Sequence, residues 1–229
     1  MKKLLAILVP VVLYAVYLLT KEMYIWRCLI IFWLLAMVLW IIFSMPSGSR
    51  DKYLKFIPAA FIFSILGDYL LHIAHEKGAA FFIAGVAAYF IAHLSYIAFT
   101  MRRGKVNWWM FGVLCGVFGL YFIFLLIPGI PSLGVRIAVL FYVLVSAFSV
   151  STASALPLGP MMNKTGKLLI LSGICSLVVS DIILSLHDFV HIDAGYFLML
   201  PLFYLSQVLV TLGLISITEE RAKAPSQTQ

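Results

Sequence analysis

Two of the nine acidic residues sit where an ionised side chain is hardest to keep. Asp68 lies within FSILGDYLL and Asp181 within LVVSDIILSL, whereas the other seven fall in polar segments or at the ends of apolar runs. A charge near a bilayer centre costs about 3 kcal/mol even on lenient insertion scales, so such a residue marks function by default. The bland alternative is an aspartate that only ties helices together. Two carboxyls in one low-dielectric site settle as a unit into one protonated and one ionised group. That is the division of labour acid–base hydrolysis needs.

Helical spacing extends each aspartate into a stripe. Ser64, Asp68, His72 and His75 stand at i, i+4, i+8 and i+11; Asp181, Ser185 and Asp188 stand at i, i+4 and i+7. Two further stripes run through Tyr89, His93, Tyr96 and Thr100, and through Tyr204, Gln207 and Thr211. Each has a purely structural alternative, because Tyr, His and Gln in a membrane bundle often only satisfy one another across helices. Small residues precede both acids, Gly67 and Ser180, and both open a D-x-x-L pattern, a weak sign of a parallel repeat about 113 residues apart.

The elements that must carry these stripes follow from composition. The chain has 229 residues, 64% hydrophobic and 11% charged, with a mean hydropathy of +1.09. A soluble domain is about 25% charged, so a water-soluble enzyme, a disordered chain and a disulfide-stapled secreted domain are excluded. A membrane-crossing helix needs about 20 apolar residues. The apolar runs divide at polar clusters into eight spans: 4–19, 25–44, 56–75, 79–100, 108–127, 136–156, 168–187 and 197–217. The fold class is therefore an all-α, polytopic eight-helix bundle forming one membrane domain over residues 1–218, with 219–229 as a short disordered tail.

Charge tests this partition independently. With eight spans, one side carries Lys2, Lys3, Arg50, Lys52, Lys55, Arg102, Arg103, Lys105, Lys164, Lys167, Arg221 and Lys223. The other carries only Lys21, Arg27, Lys77 and Arg136. By the positive-inside bias both termini are expected to be cytoplasmic. The net charge of +7 reads as this bias and not as a nucleic-acid surface. The first apolar run lacks a small-x-small cleavage site before Lys21 and is read as a retained helix. Cys28, Cys115 and Cys175 lie in apolar runs without CxxC spacing and read as small core residues.

At similar depth on parallel spans 3 and 7, the two acids are placed to meet across a shared cavity. Asp68 falls roughly 18 Å beyond Phe56 and Asp181 roughly 20 Å beyond Leu168 at 1.5 Å per residue. Spans 3, 4, 7 and 8 are expected to line that cavity, since spans 1, 2 and 5 have almost nothing polar at mid-depth. Gly112, Cys115, Gly116 and Gly119 on span 5 read as a helix-packing stripe. No G-x-S-x-G elbow and no phosphate-binding G-x-x-x-x-G-K-[ST] loop occurs. His72, His75, His187 and His191 leave a metal-dependent alternative open at the far ends of spans 3 and 7, and paired intramembrane acids leave a proton- or cation-coupled transporter open. A transporter would be expected to break its helices beside the acids, and no mid-span proline accompanies either one.

FSILGDYLL, HLSYIAF (93–99), SDIILSLHDF (180–189) and the Tyr204–Gln207 segment together resemble the YhhN-like lysoplasmalogenases, over nearly the whole chain. One difference is the stretch before Ser180, where the family tends towards a Gly-rich run ending in Phe and this chain has Gly173 and then Leu177-Val178-Val179. The resemblance implies hydrolysis of the vinyl ether bond of lysoplasmalogens to a fatty aldehyde and a glycerophospho-base. It implies Asp68 and Asp181 as the catalytic pair, no cofactor and no metal, and a lysophospholipid drawn from the surrounding membrane lipids as partner.

The chemistry suits the residues. Protonating the β-carbon of a vinyl ether gives an oxocarbenium-like cation, to which water adds before the hemiacetal collapses. Either carboxyl can be the acid on spacing alone; the apolar setting of Asp181 beside Val178, Val179 and Ile182 favours it, leaving Asp68, between Ser64 and His72, as base. Ser64, His72, Tyr89, His93, Tyr96, Ser180, Tyr204 and Gln207 are the candidates to hold substrate or orient water.

Overall fold

The computed structural model describes residues 1–20, 24–45, 51–103, 105–130, 132–156, 163–193 and 195–223. Among them the regular structure is entirely helical, and eight helices are long and apolar enough to cross a membrane. The chain is thus an integral, multi-pass membrane protein. The spans are α1 (Lys2–Leu19), α2 (Tyr24–Phe43), α3 (Phe56–Lys77), α4 (Ala79–Thr100), α5 (Trp108–Tyr121), α6 (Leu133–Ser154), α7 (Lys164–Ser185) and α8 (Met199–Lys223). Every expected span is present.

The boundaries that moved did so for local reasons. α7 starts four residues before the expected Leu168, because the Asn163 side chain accepts a hydrogen bond from Gly166 N at 2.7 Å and caps the helix there. Asn107 does the same for α5 through Met110 N. α3 and α4 are joined by the single residue Gly78, whose φ of +88° is the left-handed region a side chain rarely adopts. α8 continues to Lys223, beyond the expected end at 217, so part of the expected tail is helical; residues 224–229 lie outside the described residues.

Two helices end in π-turns, α5 through Phe122–Leu126 and α7 through Leu186–Val190. The two turns pack together, with Phe122, Leu126, Ile130, Val135 and Val139 buried against Phe189 and Val190. His191, left-handed at φ +58°, closes the α7 turn. Such π-turns redirect a helix and are frequent at functional sites.

The larger core sits between α2, α3, α7 and α8, where Leu34, Ile57, Phe61, Leu177 and Leu214 are fully buried. α5 lies outermost: Trp109, Val117 and Phe124 are exposed, as a lipid-facing surface requires in a bilayer that rewards apolar side chains outside. At one end of the bundle Lys3 pairs with Glu219 at 2.7 Å and Arg102 with Asp51 at 3.3 Å. These pairs bring the start of α1 beside the end of α8, and the start of α3 beside the end of α4, as an up-and-down bundle of even span number must.

Candidate active site

At the opposite end of the bundle, a cavity of about 420 Å³ opens between α2, α3, α4, the end of α7 and the start of α8. Asp68 and Asp181 both line it, as do His72, Tyr89 and Ser180. A narrower, apolar cleft of about 70 Å³ continues from it between α4, α5, α6 and α7, walled by Phe118, Leu126, Val139, Val143 and Val178. Tyr89, Asp181, Asp188 and Phe189 belong to both walls, so Asp181 stands where the polar space turns apolar.

The two acids have different settings. Asp68, buried on α3, accepts a hydrogen bond from Arg27 Nη2 of α2 in an ion pair. The arginine is itself mostly shielded and lies over the Tyr24 ring, 5.3 Å from its centroid; Tyr24 in turn stacks on His72 at 4.3 Å. A buried charge needs such a partner, and the pair leaves Asp68 Oδ2 buried with no direct hydrogen-bond partner. Among the described residues, no lysine or arginine pairs with Asp181. Its Oδ2 accepts from the Tyr142 hydroxyl of α6 at 2.6 Å and lies 3.6 Å from His93 Nε2. His93, fully buried, contacts the Tyr142 hydroxyl through Nε2 at 3.1 Å and Ser149 Oγ through Nδ1 at 3.0 Å.

The small residue before Asp68 has a steric reason. A Cβ on Gly67 would stand 2.7 Å from the Tyr89 ring, so only glycine lets that ring lie against α3 beside the acid. Ser180, before Asp181, works differently: its hydroxyl donates to Met199 O at 2.8 Å and ties α7 to the start of α8.

The other expected residues divide. Tyr89 and His72 reach the cavity; His93 reaches Asp181 but neither cavity wall. Ser64, Tyr96, Tyr204 and Gln207 are buried in the helix packing and line neither space. Tyr96 donates to Gln207 Oε1 at 3.0 Å, the interhelical role such pairs often have. Tyr204 packs against the ring of Tyr14, 5.8 Å between centroids. Spans 3, 4, 7 and 8 line the cavity as expected; α2, read as having almost nothing polar at mid-depth, adds Arg27, and α5 and α6 form the apolar cleft.

Two of these contributors escaped the sequence reading. Arg27 was counted among the charges of the far side, three residues into span 2, where a long side chain can reach back into the bundle. Tyr142, Ser146 and Ser149 stand at i, i+4 and i+7 on α6, the same signal that marked the other stripes.

Among the described residues no three His, Cys, Asp or Glu side chains come together as metal ligands. His187 pairs with Asp193 at 2.7 Å and stacks on Tyr196 at 3.9 Å, apart from His72 on α3. Comparison with curated proteins and with solved structures finds no match. The model of the YhhN family matches residues 22–214, a stretch that holds all eight residues of both D-x-x-L patterns, and the chain belongs to the YhhN family.

Proposed function

We propose that the protein hydrolyses the vinyl ether bond of lysoplasmalogens within the membrane, releasing a fatty aldehyde and a glycerophospho-base. The observation that carries this reading is the join between the polar cavity and the apolar cleft, with Asp181 on both walls and Asp68 on the polar one. A lysophospholipid has its scissile bond at the same kind of boundary. With its glycerophospho-head in the wide cavity and its alkenyl chain in the cleft, the vinyl ether lies beside Asp181.

Asp181 then donates its proton to the β-carbon, forming the new C–H bond at the expense of the alkene π-bond. The oxocarbenium carbon takes water, whose proton passes to a carboxylate. Collapse of the hemiacetal breaks the bond to glycerol and moves the hydroxyl proton to the departing alcohol oxygen. Asp68, held beside Arg27 on the polar wall of the cavity, is suited to orient the water. Its net charge is largely offset by the arginine, so the cation is stabilised chiefly by Asp181 once that group is ionised. Tyr89, packed on Gly67 and lining both spaces, sets where the bond rests. The basic end of the bundle is assigned to the cytoplasm, which opens the cavity towards the other side.

The test is aldehyde release from lysoplasmenylethanolamine by purified protein in detergent, with and without chelator. Asp181→Asn and Asp68→Asn are each expected to lose at least about a hundredfold in kcat, the range of general acid–base catalysis, and chelator to change nothing. Full activity in either variant, or no release by the wild type, refutes the assignment.

A further inference from the structure

A donor count at Asp181 raises a problem that the two-aspartate scheme leaves untouched. The Tyr142 hydroxyl has one hydrogen and two neighbours in hydrogen-bond range, Asp181 Oδ2 at 2.6 Å and His93 Nε2 at 3.1 Å. On the other side of the imidazole, Ser149 donates to Ser146 O at 2.8 Å, a shorter contact than its 3.0 Å to His93 Nδ1. With that hydrogen committed, Ser149 accepts from Nδ1–H. A neutral His93 would then present the Nε2 lone pair to Tyr142, an ionised Asp181 would present another, and one hydrogen would face two acceptors. His93 is fully buried, so no solvent reaches Nε2, and at 2.6 Å the Tyr142 and Asp181 oxygens need a hydrogen between them; an unmatched buried polar group costs about 1–3 kcal/mol.

One additional proton resolves the conflict in two ways that differ only in bond direction. In the first, Asp181 is protonated and donates to Tyr142, which donates to Nε2. In the second, Nε2–H donates to Tyr142, which donates to ionised Asp181. Passing between them breaks the Nε2–H and Tyr142 O–H bonds and forms a Tyr142 O–H and an Asp181 O–H bond, with no net gain or loss. We infer that His93, Tyr142 and Asp181 hold one proton in common, and that this store, not sharing with Asp68, supplies Asp181 as the acid of the proposed reaction. Asp68 has its own counter-ion in Arg27 and is not needed to keep a proton on Asp181.

The store also explains how the acid is restored. Once the proton has gone to the substrate carbon, the three residues are left with the unmatched acceptor just described. The proton released when water adds to the oxocarbenium returns to Asp181 and removes the mismatch. His93 and Tyr142 touch no substrate; they are positioning residues that act through Asp181. The other titratable groups around it are Tyr89 on α4, Tyr121 on α5 and Asp188 on α7, with the Arg27–Asp68 pair, His72 and Tyr196 elsewhere on the cavity wall.

The inference rests on the hydrolase reading for its catalytic part only, and two measurements keep the two apart. Infrared spectra of the purified protein near neutral pH, without substrate, should contain a protonated-carboxyl or imidazolium band that Asp181→Asn abolishes and Tyr142→Phe abolishes or strongly weakens. Neither band in the wild type would overturn the store, since it would mean that Ser149 turns its hydrogen to Nδ1 and the chain closes on a neutral histidine and an ionised aspartate. In the second measurement, the pH profile of kcat for Tyr142→Phe and His93→Gln should keep its acidic limb, where solvent protonates Asp181 directly. It should fall by about tenfold or more on the alkaline side, the low end of a proton-transfer contribution. A uniform loss across the whole range, with an unchanged profile, would mean that the two residues only hold the helices in place and would refute the supply role. A wild type that shows the band but releases no aldehyde would remove the proposed hydrolysis and leave the shared proton standing.

Discussion

Replacing Arg27 by Met isolates what the ion pair contributes. The substitution keeps much of the apolar stem and removes only the charge that faces Asp68, whose side chain is 8% exposed against 16% for the arginine. Unit charges about 4 Å apart attract by about 4 kcal/mol in an effective dielectric of about 20. Breaking a buried pair from one side costs about 3–5 kcal/mol, because the surviving charge is left without its counter-ion. Arg27→Met should therefore lower unfolding stability by about that amount, and Asp68→Leu should do the same from the other side. The double variant should recover most of the loss, since two apolar residues of similar volume leave nothing unpaired.

Unfolding of the four proteins in mixed micelles with increasing sodium dodecyl sulfate, followed by tryptophan fluorescence, closes the cycle. The result is a coupling energy of at least about 2 kcal/mol. Strictly additive losses, with coupling below about 0.5 kcal/mol, would show that the two groups do not sense one another and would refute the account of Asp68 as an anion held by its counter-ion. The double variant should nevertheless release no aldehyde, because it is folded without the water-orienting carboxylate.

Three smaller perturbations address the rest of the site. Gly67→Ala puts a methyl 2.7 Å from the Tyr89 ring; thermal unfolding should register a loss of about 1–3 kcal/mol, with a fall in kcat as the ring withdraws from Asp68, and an unchanged enzyme would remove Tyr89 from the positioning scheme. Val139→Phe narrows the apolar cleft, so KM should rise with alkenyl chain length in the variant and stay flat for short chains; equal effects on all lengths would place the chain elsewhere. Ser180→Ala removes a hydrogen bond to the Met199 carbonyl and should cost about 1 kcal/mol of stability with KM unaltered, whereas a raised KM at full stability would return Ser180 to the substrate.

The eight spans were legible because membrane-crossing helices are written in composition: a run of apolar residues and a polar break need no tertiary context. Asp68 and Asp181 were legible for the same reason, as charges where charges are expensive. Which side chains meet was much less so. Tyr96 and Gln207 have the residue types of a binding site, yet Tyr96 spends its hydroxyl on Gln207 Oε1 between α4 and α8; periodicity fixes the face of a helix but not the partner across from it. Ser180 shares a motif position with Gly67 and serves a different end, one tying a backbone carbonyl and the other clearing room for a ring. Arg27 was the reverse error: it lies near a span end, and its reach of several bonds back into the bundle is invisible to any count of charges by side of the membrane.

Those omissions change the chemistry more than the fold. Read from sequence, two aspartates in one dry cavity had only each other and their flanking residues, apolar beside Asp181 and polar beside Asp68, to set acid and base apart. Arg27 and Tyr142 remove that dependence. One carboxyl is matched by a cation on α2, the other by a hydroxyl on α6 that leads to a buried histidine. Each aspartate is therefore assigned its role by its own wall of the cavity, and the two need not be within contact of one another to act on one substrate. The same arrangement explains why helices without a motif of their own are required. α2 and α6 carry no D-x-x-L pattern, but loss of either neighbour leaves a carboxyl in low dielectric with nothing to fix its state, so substitutions there should lower activity without touching an aspartate, Tyr142→Phe chiefly on the alkaline side of the pH profile.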